Sequence, residues 1–345
     1  FKFLKTAAVI GCVLVVGMQS TALVSMLASV EQPSIETRMT KKGLYEVAPD
    51  NNVFVFVVDC FDQDNVDEML AVDPHILDAL GGFTCYDNVT GSYCYTHISV
   101  PYLLSGERIP QYNPSDEQLE NALNQSPYYN ALTENVSNVG IYTEEFCLVG
   151  DNERQKIDNL GSSENSQLNV DTTTYAAQYS SFYRVLPLFL KNRFSYTSED
   201  FNWAMLSTKD GTEFYGVSPR SDANMLDYLQ AKGLKVNHNY ENGCFRFIHT
   251  SGAHEPFKLD KNGNYSLTST SRLDSALGSM KLVSQYLKRL QEAGVYENST
   301  IIITSDHGTC KSYRIEDDAE LSINPIMFYK PAGADSDKPC ARSTA

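Results

Sequence analysis

Asn51-Asn-Val-Phe-Val-Phe-Val-Val-Asp59-Cys-Phe-Asp62 is the stretch on which the fold turns. Val53 to Val58 are apolar without interruption, and four of the six are β-branched. A continuous run of this kind, without the alternation of a half-exposed strand, predicts a strand buried on both faces of a parallel sheet. Thr300-Ile-Ile-Ile-Thr304 is a second one. Further strands are expected near 138–142, at 245–249 and at 325–329, and helices near 63–80, 221–232 and 271–293. In the last helix Leu273, Leu277, Met280, Leu287 and Leu290 fall at helical spacing and read as core. Strands alternating with helices predict a layered α/β fold with a mostly parallel central sheet and helices on both faces. Residues 150–220 carry the weakest pattern and are expected to hold an insertion over the sheet.

With 27 basic against 43 acidic residues, the net charge of −16 argues against a nucleic-acid partner, which calls for a basic surface. A composition 42% hydrophobic and 11% aromatic is enough for a packed core. No charged residue occurs between Lys5 and Glu31, and Thr6 to Val30 is rich in Ala, Val, Leu, Ile and Met. About 20 such residues cross a bilayer as one helix. Lys2 and Lys5 before it and Glu31 after it place the N-terminus in the cytoplasm and the rest of the chain outside the cell membrane. A secretory signal or a buried core helix are the other readings, although a signal's apolar region is usually shorter, about 7–15 residues. The chain begins at Phe1 and stops at Ala345. It is therefore expected to be a piece of a longer protein, with 1–30 the end of a truncated membrane region. Residues 31–50 read as a linker and 51–345 as an extracytoplasmic globular domain.

Of eight cysteines, Cys12 lies in the apolar segment, leaving an odd number outside. Cys85 and Cys94 are close enough for a small disulfide loop in an oxidising compartment. No CxxC or Cys/His spacing suggests a zinc–thiolate motif, although Cys60 and Cys310 adjoin candidate ligands. All could equally be small buried side chains.

Three segments carry chemistry. The run ending at Asp59 places a carboxylate at the C-terminal end of a buried strand, where α/β sheets bind ligands; Asp59 or Asp62 could otherwise cap the next helix. Thr300 to Thr304 is followed by Ser305-Asp306-His307-Gly308, a carboxylate and an imidazole suited to a divalent metal. Gly91 to Glu107 runs from a polar loop into Pro101-Tyr-Leu-Leu, so that Thr96 and Ser99 sit where a helix begins and an anion is favoured. A threonine hydroxyl is a poor nucleophile unless a metal lowers its pKa.

Together, in this order, the segments resemble the alkaline phosphatase/sulfatase superfamily, in the branch of lipoteichoic acid synthases and lipid A phosphoethanolamine transferases. The resemblance covers about residues 50–330. It implies an alkaline phosphatase-like fold and a divalent ion, manganese or zinc ahead of magnesium or calcium, held by Asp59, Thr96, Asp306 and His307. It also makes Thr96 the nucleophile. Phe247-Ile-His249-Thr-Ser-Gly-Ala-His254-Glu-Pro-Phe257 is similar to the segment carrying a phosphate-contacting histidine, a role this implies for His254; His249, still within the strand, reads as structural. Two departures stand out. The branch usually has Glu where this chain has Asp59. Formylglycine sulfatases mature a Cys or Ser with a basic residue four positions on, where this chain has Thr96 and Val100, so ordinary sulfatase chemistry is not expected. The implied activity moves a phospho-headgroup from a membrane lipid to a glycan or polymer acceptor in the cell envelope through a phosphothreonine. The alternatives are a hydrolase of phosphate or sulfate esters, and a catalytically silent lipid-sensing protein of the same fold.

Overall fold

The computed structural model describes residues 2–29, 37–109, 114–144, 156–162, 166–168, 170–191, 206–308 and 324–343. It divides into two units, 1–36 and 37–345. In the first, helix α1 spans Lys2–Ser29, and its Phe3–Thr21 portion is long and apolar enough to cross a membrane. Thr21 returns its hydroxyl to Gly17 O at 2.7 Å, so this polar side chain is satisfied within the helix.

The second unit is built on a seven-stranded sheet. Its strands, in chain order, are β1 (Asn52–Val58), β2 (Thr84–Tyr86), β3 (Asn138–Tyr142), β4 (Cys244–Thr250), β5 (Thr300–Thr304), β6 (Met327–Lys330) and β7 (Ala341–Ser343). Their order across the sheet is β7-β2-β6-β5-β1-β4-β3. Only β6 runs against the others. Each apolar run forms a strand: Phe54, Phe56, Val57 and Val58 of β1 and Ile301 and Ile303 of β5 are buried. The helices of this unit are α2 (Gln63–Val72), α3 (Thr96–Ser105), α4 (Asp116–Gln125), α5 (Pro127–Asn135), α6 (Val170–Val185), α7 (Leu188–Lys191), α8 (Pro219–Lys232) and α9 (Arg272–Glu292). Helix α9 buries Met280, Val283, Leu287 and Leu290 and sets the Tyr286 ring edge-on to Phe54 and Phe56, at 5.8 and 5.2 Å between centroids. That contact fixes the helix against the strand that carries Asp59.

Several boundaries differ from the sequence reading. Helix α2 stops at Val72 rather than 80, because Asp73 precedes Pro74 and a residue before proline disfavours helical geometry. Residues 37–50, read as linker, belong to the globular unit. Thr37–Met39 pairs with Leu160–Ser162, Glu46–Val47 pairs with Lys235–Val236, and Leu44, Val47 and Ala48 are buried. Cys85 and Cys94 are not joined, since both are thiols. Cys85 is held in β2 between Phe328 and Arg342 and donates to Asp87 Oδ1 at 3.5 Å. Cys310 lies outside the described residues, as does part of 150–220.

Arg246 of β4 is wholly buried. It donates to Gly43 O at 3.1 Å, Glu46 O at 3.0 Å and Phe245 O at 2.9 Å. The guanidinium thus closes carbonyls of the 43–46 segment that no strand partner reaches, which ties that segment to the sheet.

Candidate metal centre

The parallel register brings three strand ends to one edge. Thr250 pairs with Val58 and Thr304 with Val57, so Asp59 and Ser305-Asp306-His307 emerge side by side. Close backbone contacts lock them together. Asp59 N donates to Thr250 O at 3.2 Å, and Ala253 N donates to Asp59 O at 2.8 Å. Gly252, at φ +55°, passes so near that a β-carbon would stand 2.0 Å from Asp59 O; only glycine fits. Ser305 Oγ accepts from Phe61 N at 3.0 Å, and Asp306 Oδ1 accepts from Cys60 N at 3.3 Å, so the turn after β5 is fastened to the turn after β1. Asp62 caps α2 and has no place in the site: its side chain accepts from Asn65 N at 3.1 Å, and Asn65 Oδ1 accepts from Asp62 N.

His307 Nε2 is the hub. It lies 3.2 Å from Asp306 Oδ2, 3.2 Å from Thr96 Oγ1 and 3.7 Å from Asp59 Oδ1. Its Nδ1 is 2.8 Å from Gly308 O. A carbonyl oxygen only accepts, so in the neutral ring the proton sits on Nδ1 and Nε2 offers a lone pair inward. Thr96 is the first residue of α3, half-buried, with its hydroxyl at the positive end of the helix. The structure therefore brings Asp59, Thr96, Asp306 and His307 together.

His249, read from the sequence as structural, lies against the Asp59 carboxylate. It is buried within β4 with Nε2 3.8 Å from Asp59 Oδ2 and Nδ1 3.1 Å from Thr143 Oγ1. Burial pushes its pKa down to about 4, so the ring is neutral near pH 7 and can act as a ligand. The sequence signal was a histidine inside an otherwise buried strand, which calls for a partner. His254 stands apart from the hub. It is exposed, its Nδ1 is turned to Glu255 O, and it lines a cleft together with Asp59, Ser218, Ser251, Lys258 and Tyr265. Behind that cleft, buried Asp222 of α8 accepts from Ser251 N at 2.9 Å and from Ser251 Oγ at 2.7 Å, and burial raises its pKa to about 7.

These residues fit a divalent cation. Asp306 Oδ2 and His249 Nε2 are buried and have no hydrogen-bond partner among the described residues. Asp59, His249 and Asp306 each offer an atom within 4.8 Å of the other two. Two carboxylates and a neutral imidazole so close together want a positive charge between them. No protein-family model matches the chain, and no curated protein matches it. Among solved structures, a protein of the alkaline phosphatase superfamily from Vibrio parahaemolyticus is 10% identical over 92% of this chain and 67% of its own, with a TM-score of 0.44. The soluble domain of lipooligosaccharide phosphoethanolamine transferase A from Neisseria meningitidis is 14% identical over 86% and 80%, at 0.40. The C-terminal periplasmic domain of the Escherichia coli transferase EptC, solved with zinc, is 12% identical over 88% and 78%, at 0.39.

Proposed function

We propose that this chain is a membrane-anchored, metal-dependent phosphotransferase or phosphodiesterase that uses Thr96 as its nucleophile. The observation that carries the reading is the 3.2 Å approach of Thr96 Oγ1 to His307 Nε2, at a helix N-terminus and beside two buried carboxylates. Asp59, Asp306, His307 and Thr96 would hold the cation, with His249 close enough to serve as a further ligand. When bound, the cation supplies Lewis acidity, lowering the pKa of a nearby hydroxyl and offsetting phosphoryl charge.

The remaining chemistry is assigned to the chain's own residues. Asp59, Asp306 and His307, locked by the two turns, fix the direction from which Thr96 Oγ1 meets phosphorus. The threonine oxygen forms the new P–O bond in line as its proton passes to solvent. The P–O bond to the leaving alcohol breaks, and that oxygen takes a proton from His254 at the rim of the cleft. The resulting phosphothreonine is resolved by an incoming hydroxyl that gives its proton to His254 and forms the new P–O bond as the bond from phosphorus to Thr96 Oγ1 breaks and that oxygen takes a proton back from solvent. The N-terminus of α3 favours phosphoryl oxygens at Thr96.

The apolar helix α1 supports a lipid donor, since it would hold the domain beside headgroups. The lysines before it support an extracytoplasmic catalytic domain. The acceptor in this reading is a glycan or polymer hydroxyl of the cell envelope. A net charge of −16 gives an anionic headgroup no long-range attraction, so its capture falls to the α3 N-terminus and to the local charge that a bound cation would supply. The test uses the full chain in detergent with manganese or zinc and either a chromogenic phosphodiester or phosphatidylglycerol. Thr96→Ala should lose at least about a thousandfold in turnover while keeping its melting temperature. Retained metal-dependent turnover in Thr96→Ala would overturn the reading. Product analysis with and without an added alcohol separates transfer from hydrolysis.

A further inference from the structure

We propose that Cys60 supplies a thiolate to the metal centre and thereby biases it toward zinc over manganese, magnesium and calcium; this rests on the metal-dependent reading above. Cys60 is buried, and its Sγ lies 3.9 Å from His307 Nε2 and 3.6 Å from Nδ1. Sγ, a carboxylate oxygen of Asp59 and a ring nitrogen of His307 all fall within 4.8 Å of one another. In a tetrahedral zinc site with ordinary Zn–N and Zn–S bonds, the N···S edge is about 3.5 Å. The sulfur is thus a few tenths of an ångström from a coordinating position.

Two further observations point the same way. Asp306 Oδ2 and His249 Nε2 are buried, lack a hydrogen-bond partner among the described residues, and form with Asp59 a second group of candidate ligands that adjoins the Asp59–Cys60–His307 group through Asp59. Cys60 also adopts φ +53°, which among the described non-glycine residues only Asn51 shares. Glycine would relieve the backbone there, and asparagine tolerates it better than cysteine does. The turn therefore holds the thiol at a backbone cost, with its N–H on Asp306 Oδ1 and its sulfur beside His307. A thiolate is a soft ligand that zinc accepts readily and that manganese, magnesium and calcium do not favour. On binding, the S–H bond breaks, the sulfur electron pair forms the bond to the metal, and the proton goes to the buffer.

The full chain in detergent, stripped with chelator, is titrated with Co²⁺ and with Zn²⁺. We expect one Co²⁺ per chain with a near-ultraviolet sulfur-to-metal charge-transfer band, and loss of that band in Cys60→Ser. Zinc affinity should fall at least about tenfold in that variant and manganese affinity much less. Cys60→Gly, which suits the backbone, serves if Cys60→Ser does not fold. X-ray absorption on the zinc-loaded wild type needs no variant and should show one sulfur at about 2.3 Å. Stoichiometric binding with no Cys60-dependent band and no sulfur scatterer overturns this inference and leaves the metal centre standing. No binding of either ion to the wild type overturns both.

Discussion

Replacing Gly252 with alanine tests whether the contact between the turns after β1 and β4 builds the site. The added β-carbon would stand 2.0 Å from Asp59 O and 2.5 Å from Asp59 N, so one segment must retreat by about 1 Å. Holding alanine at φ +55° costs about 1 kcal/mol. The retreat stretches the bonds from Ala253 N to Asp59 O and from Asp59 N to Thr250 O, each contributing about 1 kcal/mol. The expected loss is therefore about 3 kcal/mol of stability. Because the displaced residue is Asp59 itself, turnover should drop about a hundredfold, the usual effect of a 1 Å misplacement. Gly211→Ala is the control: φ is also positive, at +87°, but its β-carbon would meet nothing within 4 Å, so only the backbone cost of about 1 kcal/mol applies. Urea unfolding followed by circular dichroism gives the stability, and calorimetric zinc titration reports the site. Equal behaviour of the two variants, with zinc affinity unchanged in Gly252→Ala, would refute the reasoning.

Other perturbations follow from the same geometry. Asp222 keeps its proton up to about pH 7 in the folded chain because burial disfavours the carboxylate, against about 3.9 unfolded. The folded state binds the proton more tightly, so wild-type stability relative to Asp222→Asn should be greatest below about pH 4. It should decline by on the order of 4 kcal/mol as pH rises to 7 and level off above; a difference that ignores pH would contradict the assignment. Asp306→Asn removes one of two neighbouring buried carboxylates. Chelator-treated protein should then melt higher than wild type, by roughly 1 kcal/mol of stability, while added zinc no longer raises the melting temperature. Continued stabilisation by zinc in that variant would remove Asp306 from the ligand set. Arg246→Met strands the carbonyl of Glu46, leaves Gly43 O only its bond from Glu46 N, and should cost about 3 kcal/mol or more in urea unfolding. A loss below about 1 kcal/mol would show that those carbonyls find other donors.

The strands were readable in the sequence where burial on both faces left no alternation. Val53 to Val58 and Ile301 to Ile303 lie in strands within a residue of expectation, and the parallel order followed from helices between them. Asp59 and Asp306 were legible for the same reason, since a strand that ends in a carboxylate points it at the sheet's binding edge. Thr84–Tyr86 was not legible: three residues carry no period, and the strand exists because β6 and β7 flank it. The approach of His249 to Asp59 was hidden, because it becomes visible only when His249 of β4 is seen to lie beside Val57 of β1. The same non-locality hid the bond from Phe61 N to Ser305 Oγ, which no local pattern encodes.

Thr96 and His307 lie 211 residues apart, and Cys60 and His307 lie 247 apart. A ribosome or translocon releasing this chain in order therefore delivers Asp59 and Cys60 long before Asp306 and His307, and the four side chains meet only when β5 lies beside β1. Under the metal-dependent reading, a chain cut short before residue 306 would carry five of the seven sheet strands yet lack the Asp306 and His307 donors.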